Sequence, residues 1–386
     1  MATHTGVINH GAPDVAGVLR RTATVVFLLF VFLVGVRALG DGFKLLGAGV
    51  LESFFLATAN PFVGLMVGIL ATTLVQSSSV TTSMVVGLVA APENPLPVVN
   101  AIPMIMGANI GTTVTNTIVS LAHIGNKREF KRAYAVATCH DFFNFTAVAV
   151  LLPLELATGV FSKVAGGLAT FLGGAGGVAF DSPLKSLLKA GAGPITSTAK
   201  GLMGTPATQG AFVVVCGGAL ILFGLLFLVK TLRATLISTV EDRMEQFLGG
   251  SGVAAMALGV VVTVMVQSSS ITTSLLVPFA AAGLLTLRQA FPVTLGANIG
   301  TTVTALMASL AVTGVNAQAG ITIALVHLLF NLTGTAMIYP ASAVRAIPLR
   351  LAERLAGVAV RSKSMAIAYV VVMFYGIPAL FAFLTR

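Results

Sequence analysis

Long stretches without a single Lys, Arg, Asp or Glu are the feature that most limits what this chain can fold into. Residues 53–92 and 94–126 form two such stretches in the first half, and residues 246–287 and 289–344 form two more in the second. Only 9% of the chain is charged and 56% is hydrophobic, whereas soluble domains carry roughly 25% charged residues. A helix needs about 20 apolar residues to cross a bilayer. The sequence therefore predicts an all-α polytopic membrane protein.

The net charge of +10 does not indicate a nucleic-acid partner, because the basic residues form short clusters between apolar stretches. Such clusters are typical of cytoplasmic loops under the positive-inside rule. Arg20 and Arg21 precede the first span and favour a cytoplasmic N-terminus, and residues 127–132 form a second basic cluster. We expect a multi-pass protein of the cell (inner) membrane, in contact with the lipid bilayer, and the sequence carries no signal for a particular oligomeric state.

Paired motifs indicate an internal duplication. VQSSSVTTS at residues 75–83 returns as VQSSSITTS at 266–274, and GANIGTTVT at 107–115 returns unchanged at 296–304. A weaker pair, CHDFFNFT and VHLLFNLT, shares a His and an Asn one helical turn apart. The pairs keep the same order and almost the same separation, as expected of two structural repeats.

The motifs and the charge pattern divide the chain into six predicted segments. These are residues 1–21, a cytoplasmic N-terminal segment; 22–152, repeat 1; 153–206, an extracytoplasmic connector; 207–340, repeat 2; 341–364, a basic interfacial segment; and 365–386, a final transmembrane span. The basic clusters place the start of repeat 1 inside and the start of repeat 2 outside. We therefore expect two inverted-topology repeats that meet at a central site.

The apolar arms before the two QSSS strings are too short to cross the membrane. Each arm would rise about 21 Å as a helix, whereas the hydrocarbon core is about 30 Å thick. We predict broken helices or re-entrant hairpins with both strings near mid-membrane, an arrangement that marks the binding site of many transporters. Four glycines of the GANIGTT strings are expected to permit irregular backbone; they are Gly107, Gly111, Gly296 and Gly300.

Uncharged polar side chains supply the chemistry of these motifs. Hydroxyl groups and helix N-termini suit an anion, whereas hard amide and hydroxyl oxygens suit an alkali cation. Asp141 is the only charged residue between Arg132 and Glu155, and a carboxylate at membrane depth favours a functional role, here as a cation ligand. His140 and His327 each share a helical face with an Asn, and we favour a structural role for both.

Both repeats resemble the type II sodium–phosphate cotransporters, a family that includes the kidney and gut phosphate carriers. The resemblance lies in VQSSSVTTS, AIPMIMGANIGTTVTNTIVSL, EFKRAYAVATCHDFFNFTAVAVLLPLE and VQSSSITTS. It implies sodium-driven symport of inorganic phosphate by alternating access, without any cofactor besides Na⁺ as the coupling ion. Ala135, Ala137 and Asp141 match the pattern of electrogenic members, which transport divalent phosphate with net charge. His123 and Asn126 depart from the pattern and leave the details of one sodium site open.

The resemblance also implies two sets of ligands. The implied phosphate ligands are Ser77, Ser78, Ser79, Ser268, Ser269 and Ser270. The implied sodium ligands, with Asp141 added from the charge argument, are Gln76, Gln267, Asn109, Thr112, Thr113, Thr117, Asn298, Thr301, Thr302, Asp141 and Asn144.

Other functions fit the sequence less well. Small polar residues often pack membrane helices together, but two near-identical strings favour a site over packing alone. An intramembrane serine hydrolase would need one nucleophile beside an oriented base, and a duplicated string offers no single nucleophile, so we do not expect an enzyme. A passive pore would favour a ring of charges over one acid. A sodium-coupled carrier of another small anion, sulfate or a carboxylate, stays open because its pocket would use the same groups.

Overall fold

The computed structural model describes residues 15–55, 60–90, 95–172, 183–236, 251–266, 268–310 and 316–384. All regular secondary structure within these ranges is helical, which confirms the predicted all-α class. Gln267, the glycine run at residues 173–177 and Arg386 lie outside the described residues.

The first half of the chain is built from nine helices and one short 3₁₀ turn within the described ranges. They are α1 Val15–Phe55, α2 Pro61–Val75, α3 Ser78–Val89, α4 Val98–Thr112, α5 Val114–Ser120, the 3₁₀ turn Leu121–His123, α6 Lys127–Thr158, α7 Val160–Leu172, α8 Pro183–Leu202 and α9 Pro206–Leu236.

The described part of the second half repeats much of this order. It contains α10 Gly252–Val266, α11 Ser269–Ala282, α12 Leu287–Leu310, α13 Ala317–Ile338, α14 Ser342–Arg361, α15 Lys363–Val370, a π-helical turn Val371–Gly376 and α16 Ile377–Leu384.

Four helical stretches among the described residues are long and apolar enough to cross a membrane. They are Val98–His123, Lys127–Thr158, Ala317–Ile338 and Lys363–Phe381. Shorter apolar helices, among them Pro61–Val75, accompany them. The architecture is therefore that of a helical membrane protein, in which some helices are too short to span alone.

Both serine strings interrupt a helix, as predicted. Helix α2 ends at Val75 and α3 begins at Ser78; between them Gln76 has a φ angle of 55°. It is the only non-glycine residue with a positive φ among those described. A left-handed residue ends an α-helix because its backbone leaves the i to i−4 ladder. In the second half α10 ends at Val266, and Ser268 caps α11 by accepting from the Ile271 N–H. The inverted, re-entrant arrangement of these pieces stays a prediction.

Glycines bring two pairs of helices into close contact. Helix α2 packs along α4, and α10 packs along α12 in the corresponding positions of the second half. A Cβ atom at Gly107 would overlap the Leu65 carbonyl oxygen, and one at Gly296 would overlap the Met256 carbonyl oxygen. Small residues at such crossings let membrane helices approach closely.

The expectation that the GANIGTT glycines permit irregular backbone is wrong. Gly107 and Gly111 lie inside α4, and Gly296 and Gly300 lie inside α12. The backbone is regular helix at these glycines because buried backbone groups in a membrane must be hydrogen-bonded within their own segment. What these positions require is the absence of a side chain, since each backbone lies against the neighbouring short helix.

The boundary predicted at residue 152 does not end a helix. Helix α6 continues through Pro153 to Thr158, because a proline is tolerated inside membrane helices when the freed groups find other partners. Glu155 then joins α6 to α7: its Oε2 accepts from the Phe161 N–H at 2.7 Å. The segment predicted as a connector, residues 153–206, thus contains α7 and α8.

Candidate functional site

Gln76, the residue at the first helix break, is tied to the polypeptide that follows the first GANIGTT string. Its side chain is 6% exposed. Its Nε2 donates to the Thr73 carbonyl oxygen at 2.6 Å, and its Oε1 accepts from the Thr115 hydroxyl. The two contacts of this amide therefore hold the end of α2 against the second motif of repeat 1.

The six serines of the two strings lie at or beside the helix breaks. Ser78, Ser269 and Ser270 are buried, whereas Ser77, Ser79 and Ser268 are half-buried. Ser268 uses its oxygen as the acceptor of the α11 cap, which leaves the hydroxyl proton able to donate elsewhere. The serine hydroxyls therefore lie close to the N-termini of α3 and α11, so that hydroxyl protons and backbone N–H groups occur in the same place.

Asn116 links the first repeat to the second serine string. Its Oδ1 accepts from the Ser274 hydroxyl at 2.9 Å, and the Thr273 hydroxyl lies 3.0 Å from the same oxygen. Asn116 is buried in α5, and sequence reasoning missed it. Its position directly after GANIGTTVT was the available signal, although the corresponding residue of repeat 2 is Ala305.

Two histidine–asparagine pairs cross between the repeats. His140 of repeat 1 contacts Asn298 of the second GANIGTT string, with Nε2 2.7 Å from Oδ1. His327 of repeat 2 contacts Asn109 of the first GANIGTT string, with Nε2 3.1 Å from Oδ1. Because an amide oxygen only accepts, each Nε2 carries the proton. Both histidines are fully buried, and the expected structural role fits these contacts.

Asn144 joins the two GANIGTT asparagines. Its Nδ2 donates to the Asn109 carbonyl oxygen at 2.9 Å, and its Oδ1 accepts from Asn298 Nδ2 at 2.9 Å. Its counterpart Asn331 makes weaker contacts, with Nδ2 3.5 Å from Asn109 Oδ1. Asn331 Oδ1 has no hydrogen-bond partner in the described part of the chain. Asn144 and Asn331 therefore occupy corresponding positions in the two repeats, but their hydrogen bonds differ.

Three of the threonines predicted as sodium ligands direct their hydroxyl protons to carbonyl groups of their own helices. Thr112 donates to the Ala108 carbonyl at 3.0 Å, and Thr301 donates to the Ala297 carbonyl at 3.1 Å. Thr302 does the same with the Ile299 carbonyl at 2.6 Å. A hydroxyl that has used its proton offers only lone pairs to a further partner. Such oxygens are suited to a cation.

Asp141, the predicted cation ligand, is fully buried in α6. Its Oδ2 accepts from the Tyr369 hydroxyl at 2.8 Å, a partner that sequence reasoning missed. The Thr113 and Thr117 hydroxyls lie beside the same carboxyl group. Its Oδ1 has no hydrogen-bond partner among the described residues. A buried carboxylate oxygen in this condition is costly unless a cation or proton compensates it.

No Lys or Arg is found among the side chains that the structure describes as buried. The buried polar groups around the motifs are amides, hydroxyls, imidazoles and the single carboxyl group of Asp141. An anion bound there would therefore meet neutral donors and helix N-termini, and its charge would have to be balanced by a bound cation.

Comparison with known proteins identifies a family whose model matches this chain. The family model described as Na+/Pi-cotransporter matches residues 31–174 and 220–380, which include both copies of every motif. No solved structure gives a significant match to the chain.

Several curated proteins are similar over nearly the whole chain. "Sodium-dependent phosphate transport protein 2A" of Mus musculus is 34% identical over 420 residues, which cover 91% of this chain and 66% of the mouse protein. The rabbit protein of the same name is 34% identical over 443 residues, covering 94% and 68%. "Sodium-dependent phosphate transport protein 2B" of Homo sapiens is 32% identical over 437 residues, covering 91% and 63%. The chain thus spans about two thirds of the length of these relatives.

Proposed function

The chain belongs to the Na+/Pi-cotransporter family, and on this basis we propose that it is a secondary active transporter that carries inorganic phosphate into the cell together with sodium ions. The printed names of its relatives describe sodium-dependent phosphate transport. One structural observation supports the proposal most strongly. A buried, uncharged network joins Asn109, Asn144 and Asn298 of the two repeats, and Asp141 is buried in the same helix, α6, as Asn144.

The serine strings form the phosphate site in this proposal. Serine hydroxyls donate to phosphate oxygens, and the N-termini of α3 and α11 add backbone N–H groups and the positive end of the helix dipole. The ligands assigned to phosphate are Ser77, Ser78, Ser79, Ser268, Ser269 and Ser270. The two strings come together around one phosphate, as expected when interrupted helices of two repeats meet near the bilayer midplane.

Amide and hydroxyl oxygens form the sodium sites. The hydroxyls of Thr112, Thr301 and Thr302 donate their protons to carbonyl groups of their own helices, which leaves the lone pairs of their oxygens for a cation and supports this assignment. The ligands or supports assigned to sodium are Gln76, Gln267, Asn109, Thr112, Thr113, Thr117, Asn298, Thr301, Thr302, Asp141 and Asn144. Gln76 acts as a support, since Thr73 and Thr115 occupy both ends of its amide.

The absence of Lys and Arg from the described buried side chains explains the coupling. Phosphate brings negative charge into a site of neutral donors, and sodium ions bound beside it compensate that charge at short range. Phosphate therefore binds tightly only when sodium is bound. Because linkage is reciprocal, phosphate raises the affinity for sodium by the same factor.

Asp141 makes the transport electrogenic. Its carboxylate adds one negative charge to the site and holds one more cation, so that a net positive charge moves with each divalent phosphate. Each such charge is driven by about 2.3 kcal/mol per 100 mV. A negative membrane potential inside the cell then accelerates uptake.

The two repeats, residues 22–152 and 207–340, have inverted topology in this account and alternate in opening the site to either side. The N-terminus lies in the cytoplasm of a multi-pass protein of the cell membrane. The corresponding pairing of α2 with α4 and of α10 with α12 supports the repeat relationship, and the basic clusters support the orientation.

Uptake of labelled phosphate into proteoliposomes tests the function. An inward sodium gradient should drive accumulation, and a membrane potential negative inside should increase the initial rate. A tenfold excess of unlabelled sulfate or dicarboxylate is added in parallel. Stronger inhibition by sulfate than by the same excess of unlabelled phosphate would favour the other anion, and accumulation without a sodium gradient would contradict sodium coupling.

A further inference from the structure

The last span reaches Asp141 although it lies outside both repeats. The Tyr369 hydroxyl, on α15, donates to Asp141 Oδ2 at 2.8 Å. The other oxygen, Oδ1, is buried and has no hydrogen-bond partner in the part of the chain that the structure describes. One carboxylate thus has one oxygen held by a donor and one oxygen available to a ligand.

The surroundings of Oδ1 suit a cation. Thr113 and Thr117 place their hydroxyls beside the carboxyl group. Thr113 donates its proton to the Ile110 carbonyl at 2.8 Å, and Thr117 points its proton at the Thr113 carbonyl, 3.5 Å away. Each hydroxyl can donate either to that backbone carbonyl or to the carboxyl group of Asp141. When both protons stay on the backbone carbonyls, two hydroxyl oxygens and one carboxylate oxygen can surround a cation.

Aromatic packing fixes the position of the Tyr369 ring. The ring centroid lies 5.9 Å from that of Phe374 in an edge-to-face arrangement and 6.5 Å from that of Phe142. Phe374 is fully buried and belongs to the π-helical turn Val371–Gly376. Such turns occur frequently at functional sites in helices. Contacts with these two aromatic rings therefore help to hold the Tyr369 hydroxyl at Asp141.

We propose that Tyr369 is a positioning residue for the sodium ion at Asp141. By holding Oδ2 it orients Oδ1 toward the oxygens of Thr113 and Thr117, so the final span completes the cation site of repeat 1. The inference rests on the proposed function, because it takes Asp141 Oδ1 as a sodium ligand.

The test is the sodium dependence of phosphate uptake by Tyr369→Phe protein in proteoliposomes. The variant keeps the ring and its packing and loses only the hydroxyl. We expect the half-saturating sodium concentration to rise roughly tenfold, the effect of losing one hydrogen bond to a charged group. The maximal rate at saturating sodium should stay close to that of the unaltered protein.

Tyr134→Phe is the matched control. The Tyr134 hydroxyl donates to the Ala366 carbonyl at 3.2 Å, so it also joins α6 to the last span, but it donates to backbone and not to the carboxyl group. A purely structural role of Tyr369 would make both variants alike, with lower maximal rates and unchanged sodium dependence. That outcome would overturn the inference.

A double variant separates this inference from the proposed function. In an Asp141→Gly background, Tyr369→Phe should leave the sodium dependence unchanged, because the group that it positions is gone; additive effects of the two changes would overturn the inference. Sodium-driven uptake by the unaltered protein must be established first. If it is present and Tyr369→Phe has an equal or lower half-saturating sodium concentration, the positioning role fails while the proposed function stands.

Discussion

Replacing Asn298 by alanine should destabilise the protein more than the corresponding change at Asn109. Asn298 makes two short contacts to the other repeat, 2.7 Å to His140 Nε2 and 2.9 Å to Asn144 Oδ1. Asn109 makes one good side-chain contact across the repeats, 3.1 Å to His327 Nε2, and a marginal one of 3.5 Å to Asn331. The difference follows from the number of buried groups that each substitution would leave without a partner.

The magnitude follows from those groups. Leaving a buried polar group unsatisfied costs about 1–3 kcal/mol, which gives about 2–6 kcal/mol for Asn298→Ala and half of that for Asn109→Ala. Hydrogen bonds measured between membrane helices average nearer 0.6 kcal/mol each, so the lower ends of these ranges apply. In the Asn298→Ala protein the His140 ring would have neither nitrogen paired, because its Nδ1 already lacks a partner among the described residues.

The assay is the thermal stability of detergent-solubilised protein, measured as the fraction that stays monodisperse after heating. Asn298→Ala should show the larger loss. The double variant Asn298→Ala with His140→Phe should recover part of it, because replacing both partners by apolar groups removes the unsatisfied nitrogen. Equal losses of thermal stability in Asn298→Ala and Asn109→Ala would refute the argument from unsatisfied buried groups. So would a double variant whose loss equals the sum of the losses of Asn298→Ala and His140→Phe.

Three further predictions follow from the same structure. Gly107→Ala should lower thermal stability by about 1–3 kcal/mol through overpacking against the Leu65 carbonyl, whereas Gly167→Ala, with nothing within 4 Å of the added atom, should be neutral or stabilising; the reverse order would contradict the packing argument. Gln76→Ala should abolish phosphate uptake while folded protein stays in the membrane, and wild-type uptake rates would remove Gln76 from the site. Asp141→Gly should make uptake independent of membrane potential, and an unchanged current per phosphate would exclude its role in electrogenic transport.

The sequence was sufficient for the class of fold and for the positions of the helix breaks. Charge-free stretches predict membrane helices because charged groups are costly in lipid, and the duplicated serine strings marked the breaks seen at Gln76 and before Ser269. The family followed from the same strings. These features depend on local composition and repetition, which a sequence contains directly.

The partners of the site residues could not be predicted in the same way. The Tyr369–Asp141 contact joins residues 228 positions apart, and it depends on how the last span packs rather than on any local pattern. Asn116 was missed because its amide has no counterpart in repeat 2. The GANIGTT glycines were misinterpreted because glycine permits both irregular backbone and close helix packing, and only the neighbouring helix decides between them.

The central claim is that neutral donors bind phosphate only when sodium neutralises its charge. Equilibrium binding of labelled phosphate to the purified protein, in sodium buffer and in choline buffer of equal ionic strength, tests it most directly. We expect binding in sodium that falls by at least about a hundredfold in choline, near the upper end of common coupling factors. Equal affinity in both buffers would contradict the account.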